Sequence, residues 1–197
     1  MKPIIILGMT GAGKTHLLGK FEEYAKLHDI PYAKREECLY LENCQTPQIP
    51  SFEEIIQRKP PEMPYLLLID EFKTLLLKYP QVWEETLKPA FTQGEKFGIV
   101  PIVAIQRPDL LTPEIEEVIF KASTTIALMM VDSMIEGLPF SEEIKQRILE
   151  LRNWDALIIH SSGVLIRAKN REIIPSLLFE AEFMKIKGAK FRKETSE

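Results

Sequence analysis

"GMTGAGKT" spans residues 8 to 15 and directly follows the apolar run Ile4-Ile5-Ile6-Leu7. Gly8, four intervening residues and then Gly13-Lys14-Thr15 satisfy the P-loop pattern, whose meaning depends on its flanks. Upstream, Lys2 to Leu7 reads as a buried strand, uninterrupted in apolar residues and rich in isoleucine, as a parallel sheet covered on both faces requires. Downstream, Leu17, Leu18, Phe21, Tyr24 and Ala25 recur at helical spacing and predict a helix over about Lys14 to Leu27. Strand, glycine-rich turn and helix together form the context of a phosphate cradle. Glycines let the backbone fold around phosphates with its N–H groups pointing inward. The helix N-terminus adds a favourable dipole, Lys14 reaches the β- and γ-phosphates, and Thr15 can ligate Mg²⁺. The candidate nucleotide-binding residues are Gly8, Met9, Thr10, Gly11, Ala12, Gly13, Lys14, Thr15 and His16.

The rest of the chain repeats the alternation. "ECLYLE" (37 to 42), "YLLLI" (65 to 69), "GIVPIVAI" (98 to 105) and "TTIALMMV" (124 to 131) read as strands, with Pro101 expected near the start of its strand because it cannot donate to a ladder. Helices are predicted at a short segment capped by Ser51 and Glu54, over about Glu71 to Lys78, over Gln81 to Lys96 with breaks near Pro80 and Pro89, from Thr112-Pro113 to about Lys121, from Ser141 to about Arg152, and from about Pro175 to Lys185. "DALIIHSSGVLIRAK" (155 to 169) reads as two strands around a Ser-Ser-Gly turn. Strands alternating with helices predict an α/β fold: a mostly parallel sheet with helices on both faces, closed by a C-terminal strand pair.

The totals agree with one domain. A chain of 197 residues buries roughly 70% of its unfolded surface without disulfides or metals. Hydrophobic residues make up 45% and charged residues 27%, which places it among ordinary globular proteins. The sequence has no apolar run long enough to span a bilayer and no signal-peptide pattern, so a cytoplasmic location is expected. Cys38 and Cys44 fit neither a zinc pair nor a C-x-x-C motif and are expected to be reduced thiols. Net charge is −4, which argues against a broad basic surface. The last thirteen residues, "KIKGAKFRKETSE", hold five basic and two acidic groups. The domain is therefore expected to cover 1–184, with 185–197 a basic, flexible tail.

Asp70-Glu71 terminates the strand "YLLLI". In a doubly wound sheet the carboxyl ends of strands converge on the ligand crevice. Asp70 is then suited to hold Mg²⁺ and Glu71 to polarise an attacking water as general base. Gln106 ends the strand 98 to 105, and its amide would face the γ-phosphate if that strand lies between those of the P-loop and Asp70.

"LLLIDEF", followed by "GIVPIVAIQRPDLL", "EIEEVIFKASTTIALMM" and the closing "LRNWDALIIHSSGVLIRAK", resembles the FtsK/HerA superfamily of ring-forming, DNA-pumping ATPases over about residues 3 to 168. The resemblance implies an additional strand between the Walker A and Walker B strands, ATP with Mg²⁺, and a homo-oligomeric ring, typically a hexamer, that drives double-stranded DNA through its pore. It assigns Lys14 and Thr15 to nucleotide and metal, Asp70 to metal, Glu71 to water activation and Gln106 to sensing. Relatives often carry an arginine before the glutamine strand, where this chain has Glu95, and Arg107, Arg147, Arg152, Arg167 and Arg171 all remain candidates for an arginine finger. The short chain resembles compact members from viruses and mobile elements, including genome-packaging ATPases, which would dock on a capsid or membrane protein.

Two other functions compete. A filament-export or secretion ATPase of related architecture would move protein instead of DNA. A small-molecule kinase would use the same P-loop, but no arginine-rich insertion is present to serve as a lid, and the Asp-Glu pair with a later glutamine suits water better than a substrate hydroxyl.

Overall fold

Ile4–Leu7 forms β1, buried along its whole length, and it becomes one of the central strands of a seven-stranded sheet in the computed structural model. The structure describes residues 1–35, 49–160, 163 and 165–179. The elements that position the site are α1 (Lys14–Leu27), β2 (Tyr32–Arg35), α2 (Phe52–Arg58), β3 (Tyr65–Ile69), α3 (Phe72–Lys78), α4 (Pro80–Val82), α5 (Lys88–Phe97), β4 (Ile99–Ile105), α6 (Pro113–Ala122), β5 (Thr124–Ala127), α7 (Asp132–Ile135), α8 (Glu142–Leu149), β6 (Ala156–Ile159) and β7 (Leu165–Ala168). The strand order is β2-β3-β4-β1-β5-β6-β7. β1 through β5 are mutually parallel, whereas β5–β6 and β6–β7 pair antiparallel.

Alternation within the central strands divides the core into two layers. Ile5, Leu7, Leu67, Ile69, Val103 and Ile105 face a layer that includes residues of α2, α3, α5 and α6. Ile4, Ile6, Leu66, Leu68, Ile102 and Ala104 face α1 and Phe179. Strands covered on both faces must be apolar throughout, which explains the unbroken runs. Phe179 stacks on Tyr24 with centroids 5.1 Å apart and meets Phe21 at 5.9 Å.

Local sequence rules account for most boundaries. Ser51 and Glu54 form the capping box that starts α2, with Ser51 N–H donating to Glu54 at 2.9 Å and Glu54 N–H to Ser51 Oγ at 3.3 Å. Thr112 caps α6 ahead of Pro113, and Ser141 caps α8. Pro101 pairs with Leu67 on β3, while the ladder with β1 begins only at Ile102, so the missing donor falls before that second pairing.

Several expected boundaries differ. Among the described residues the sheet ends beside β3 at Tyr32–Arg35, a strand that no sequence signal predicts. The expected strand at 37–42 lies outside the described residues, as do Cys38, Cys44, Ser161, Ser162 and the tail 185–197. The strand expected over 124–131 spans only Thr124–Ala127, because the chain turns into α7 at Asp132. Backbone pairing continues past it through Leu128 N–H to Leu7 C=O at 2.8 Å and Met9 N–H to Met129 C=O at 3.1 Å. The helix expected over 81–96 carries a π-helical turn at Trp83–Leu87, where the N–H of Lys88 reaches back to Trp83. That widened turn lets the chain pass through Pro89 instead of breaking there. α8 ends at Leu149, short of Arg152. Residues 174–179 are helical, and the rest of the expected last helix lies outside the described residues. Among the described residues, no helix is long and apolar enough to cross a membrane.

Candidate nucleotide site

The P-loop leaves β1 at Gly8 and enters α1 at Lys14, turning at Gly13 with a left-handed φ of 87°. Lys14 is 6% exposed, and its ammonium donates to the Met9 carbonyl at 3.1 Å across the loop it closes. Burial pulls the Lys14 pKa below its ordinary value, opposed by the charges of Glu71 and then Asp70. Burial removes part of the ammonium's solvation, and the two carboxylates offset part of that cost.

Thr10, Gly11, Gly13, Lys14, Thr15, Glu71, Thr74 and Gln106 line a cleft of about 560 Å³. β3 contributes Asp70 and Glu71 at its carboxyl end, and β4 contributes Gln106. β4 lies between β1 and β3, so the two acidic residues, the glutamine and the P-loop meet at one edge of the sheet. The Gln106 amide nitrogen donates to the Thr10 hydroxyl, which ties the end of β4 to the P-loop. The Thr15 hydroxyl donates to Asp70 at 2.6 Å, and the other Asp70 oxygen accepts from the Glu71 N–H at 3.1 Å. Glu71 itself sits at φ 48° and ψ 55°, a left-handed conformation for a residue other than glycine, and begins α3.

Of the residues the sequence singled out, Gly8, Met9, Ala12, His16 and Asp70 do not line the cleft, although Asp70 touches it through Thr15. Gly8 is packed so that a Cβ there would stand 3.1 Å from the Cβ atoms of Ala12 and Leu128. The Met9 carbonyl also accepts the Ala12 N–H at 3.1 Å. His16 is exposed and meets Trp154 edge-on, with ring centroids 5.7 Å apart. Thr74 is a cleft residue that sequence reading missed. The available signal was its spacing, because three residues after Glu71 on a helix places it on the same face.

Arg171 was expected only as one of several finger candidates. It is 3% exposed and directed into its own subunit. Its guanidinium donates to the carbonyls of Ala12, Trp154 at 3.2 Å and Asp155 at 3.1 Å. It therefore clamps the back of the P-loop. Arg107 forks onto Asp109 at 2.8 and 2.6 Å, Arg147 pairs with Glu143 at 2.8 Å, and Arg167 pairs with Asp155 at 2.6 Å. Arg152 is exposed and has no side-chain partner among the described residues.

Fold and cleft together define a P-loop NTPase architecture with an additional strand between the P-loop strand and the strand ending in Asp70-Glu71. Compared with family models and with curated proteins, the chain matches none. Solved structures do resemble it. The genome packaging NTPase B204 from Sulfolobus turreted icosahedral virus 2, in complex with AMP, aligns at TM-score 0.62 and 16% identity, covering 86% of this chain and 97% of that one. Its complex with ATP-gammaS aligns at TM-score 0.60 and 17% identity with the same coverage. B204 from Sulfolobus Turreted Icosahedral Virus, described as a DNA-packaging ATPase, aligns at TM-score 0.56 and 16% identity over 86% of this chain and 99% of that one. At these identities the likeness is one of fold, and it extends over nearly the whole of the packaging NTPase.

Proposed function

We propose that the protein is an ATP-hydrolysing motor that translocates double-stranded DNA, in genome packaging or DNA transfer for a virus or mobile element. The observation that carries this reading is the position of Gln106, on a strand between β1 and β3, in one cleft with Lys14 and Glu71. A cleft that gathers a lysine, a carboxylate and an amide around the terminal phosphate suits attack by water. The fold shared with packaging NTPases supports DNA as cargo.

In this reading the P-loop N–H groups and Lys14 bind the β- and γ-phosphates. Glu71 takes a proton from the attacking water, while the Gln106 amide orients that water or responds to its loss. Thr15 and Asp70 fit a hard divalent cation: a hydroxyl and a carboxylate oxygen stand 2.6 Å apart beside the cleft. The described residues offer no group of three or more His, Cys, Asp or Glu for a metal. Phosphate oxygens and water would thus complete the shell, as Mg²⁺ prefers. Bound there, Mg²⁺ would neutralise charge developing on the phosphates.

The Gln106–Thr10 bond gives hydrolysis a route out of the site. Loss of the γ-phosphate changes what the amide can bond, and the chain passes that change directly to Arg107, the next residue, and the turn that follows it. Subunits arranged as a homo-oligomeric ring, a hexamer by resemblance, would use such loops on DNA. A few contacts from each subunit add around the circle, so an acidic chain can still grip duplex. A capsid or membrane protein would dock the ring.

The test is ATPase activity titrated against protein concentration, with and without duplex DNA at low salt. The motor reading expects specific activity to rise with concentration and DNA to stimulate it. Turnover indifferent to DNA, with the protein retained on a secretion or capsid component instead, would favour protein as cargo.

A further inference from the structure

Glu71 and Gln106 occupy one flank of the P-loop, because β3 and β4 lie on one side of β1. On the other side follow β5, β6 and β7. β6 runs antiparallel to β5, so its entry at Trp154-Asp155 lies at the same sheet edge as the P-loop. β7 runs antiparallel to β6, and its exit delivers Arg171 to that edge as well.

Trp154 is 60% exposed and held at φ 75°, a left-handed conformation that side-chain-bearing residues rarely adopt. The fold fixes it from two sides. Arg171 bonds the Trp154 and Asp155 carbonyls, lies 5.6 Å from the indole centroid, and bonds the Ala12 carbonyl inside the P-loop. The His16 ring, one residue beyond Thr15, meets the indole at 87°. A single guanidinium therefore sets the position of an exposed aromatic ring relative to the phosphate cradle.

We propose that Trp154, edged by His16 beyond the phosphate cleft, is the base-binding surface and takes the purine ring of a nucleoside triphosphate by stacking. This rests on the nucleotide reading given above. A triphosphate whose γ end lies at Glu71 and Gln106 directs its α end and base away from them, toward the β5–β6 flank. An aromatic surface already fixed there lowers the ordering cost of stacking. Stacking uses the face of the base and tolerates its identity.

The test compares equilibrium binding of Mg²⁺-ATP and Mg²⁺-tripolyphosphate to the full chain. Trp154→Ala should weaken ATP about tenfold and leave tripolyphosphate affinity unchanged, while Trp154→Phe retains most of the ATP affinity. Equal losses for both ligands would overturn the proposal, since Trp154 would then act only on P-loop shape, as would unchanged ATP affinity. The wild-type chain supplies a second readout. It has two tryptophans, and the other, Trp83, is buried at 6% exposure. ATP should quench the exposed indole where tripolyphosphate does not, and identical responses would overturn the proposal. A wild-type chain that binds neither ligand would instead overturn the P-loop reading on which the proposal stands.

Discussion

The Thr15 hydroxyl and an Asp70 carboxylate oxygen, 55 residues apart in sequence, stand 2.6 Å from each other at the start of α1 and the end of β3. This bond joins the helix that follows the P-loop to the end of β3, across the inserted β4. It also pairs the two side chains proposed to hold the metal, so a cation would have to replace a hydrogen bond already present. Asp70→Asn keeps an acceptor for Thr15 but loses the charge. It should reduce ATP affinity about 10- to 100-fold in Mg²⁺ and much less in EDTA. Nucleotide binding measured with and without the metal checks this, and an equal loss in both conditions would contradict it.

Gly13 and Arg171 meet behind the P-loop. A Cβ on Gly13 would stand 2.5 Å from an Arg171 guanidinium nitrogen, at a φ of 87° that disfavours any side chain. Gly13→Ala should abolish binding of ATP and tripolyphosphate alike. Arg171→Met leaves three carbonyls without their donor and should cost about 1–3 kcal/mol of stability, with Arg171→Lys intermediate. Urea unfolding and the same binding assays check both.

Gly94 on α5 backs directly onto β4: a Cβ there would fall inside contact distance of the Ile99 carbonyl oxygen. Both groups belong to packed backbone and neither can swing away. Gly94→Ala should destabilise the fold by about 1–3 kcal/mol, seen as a lower urea midpoint, although the substitution improves helix propensity.

Glu22 on α1 receives Lys26 at 2.6 Å, Lys34 at 2.5 Å and the Tyr32 hydroxyl at 3.1 Å. These partners, Lys26 foremost, lower its pKa from the ordinary 4.5 to about 2. The folded value lies below the unfolded one, so the stabilisation is complete above pH 4.5 and is lost as pH falls toward 2. Glu22→Gln should cost about 1–2 kcal/mol at neutral pH, with the difference shrinking through that window in a pH series of unfolding curves.

Much of this architecture was legible because it rests on local rules. The unbroken apolar runs of β1, β3 and β4 report strands covered on both faces, and the caps at Ser51, Thr112 and Ser141 mark helix starts by their own hydrogen bonds. The glutamine strand's place between the other two was expected from resemblance, since nothing within residues 98–105 specifies which strands they pair with. Tyr32–Arg35 lacks a strand signature of its own, because Lys34 and Arg35 leave no apolar run to read. The positions of Arg171 and Trp154 beside the P-loop were equally hidden. Both depend on antiparallel β6 and β7 returning to the P-loop edge, and the contact between Arg171 and Ala12 spans 159 residues.

The central claim is that ATP held under Lys14 is hydrolysed between Glu71 and Gln106. Single-turnover phosphate release from bound ATP tests it most directly, measured for the wild type, Glu71→Gln and Gln106→Ala at protein concentrations that support assembly and with duplex DNA present. The account predicts that both variants bind ATP with near wild-type affinity and release phosphate about 100-fold more slowly. Phosphate released at the wild-type rate by both variants would contradict it.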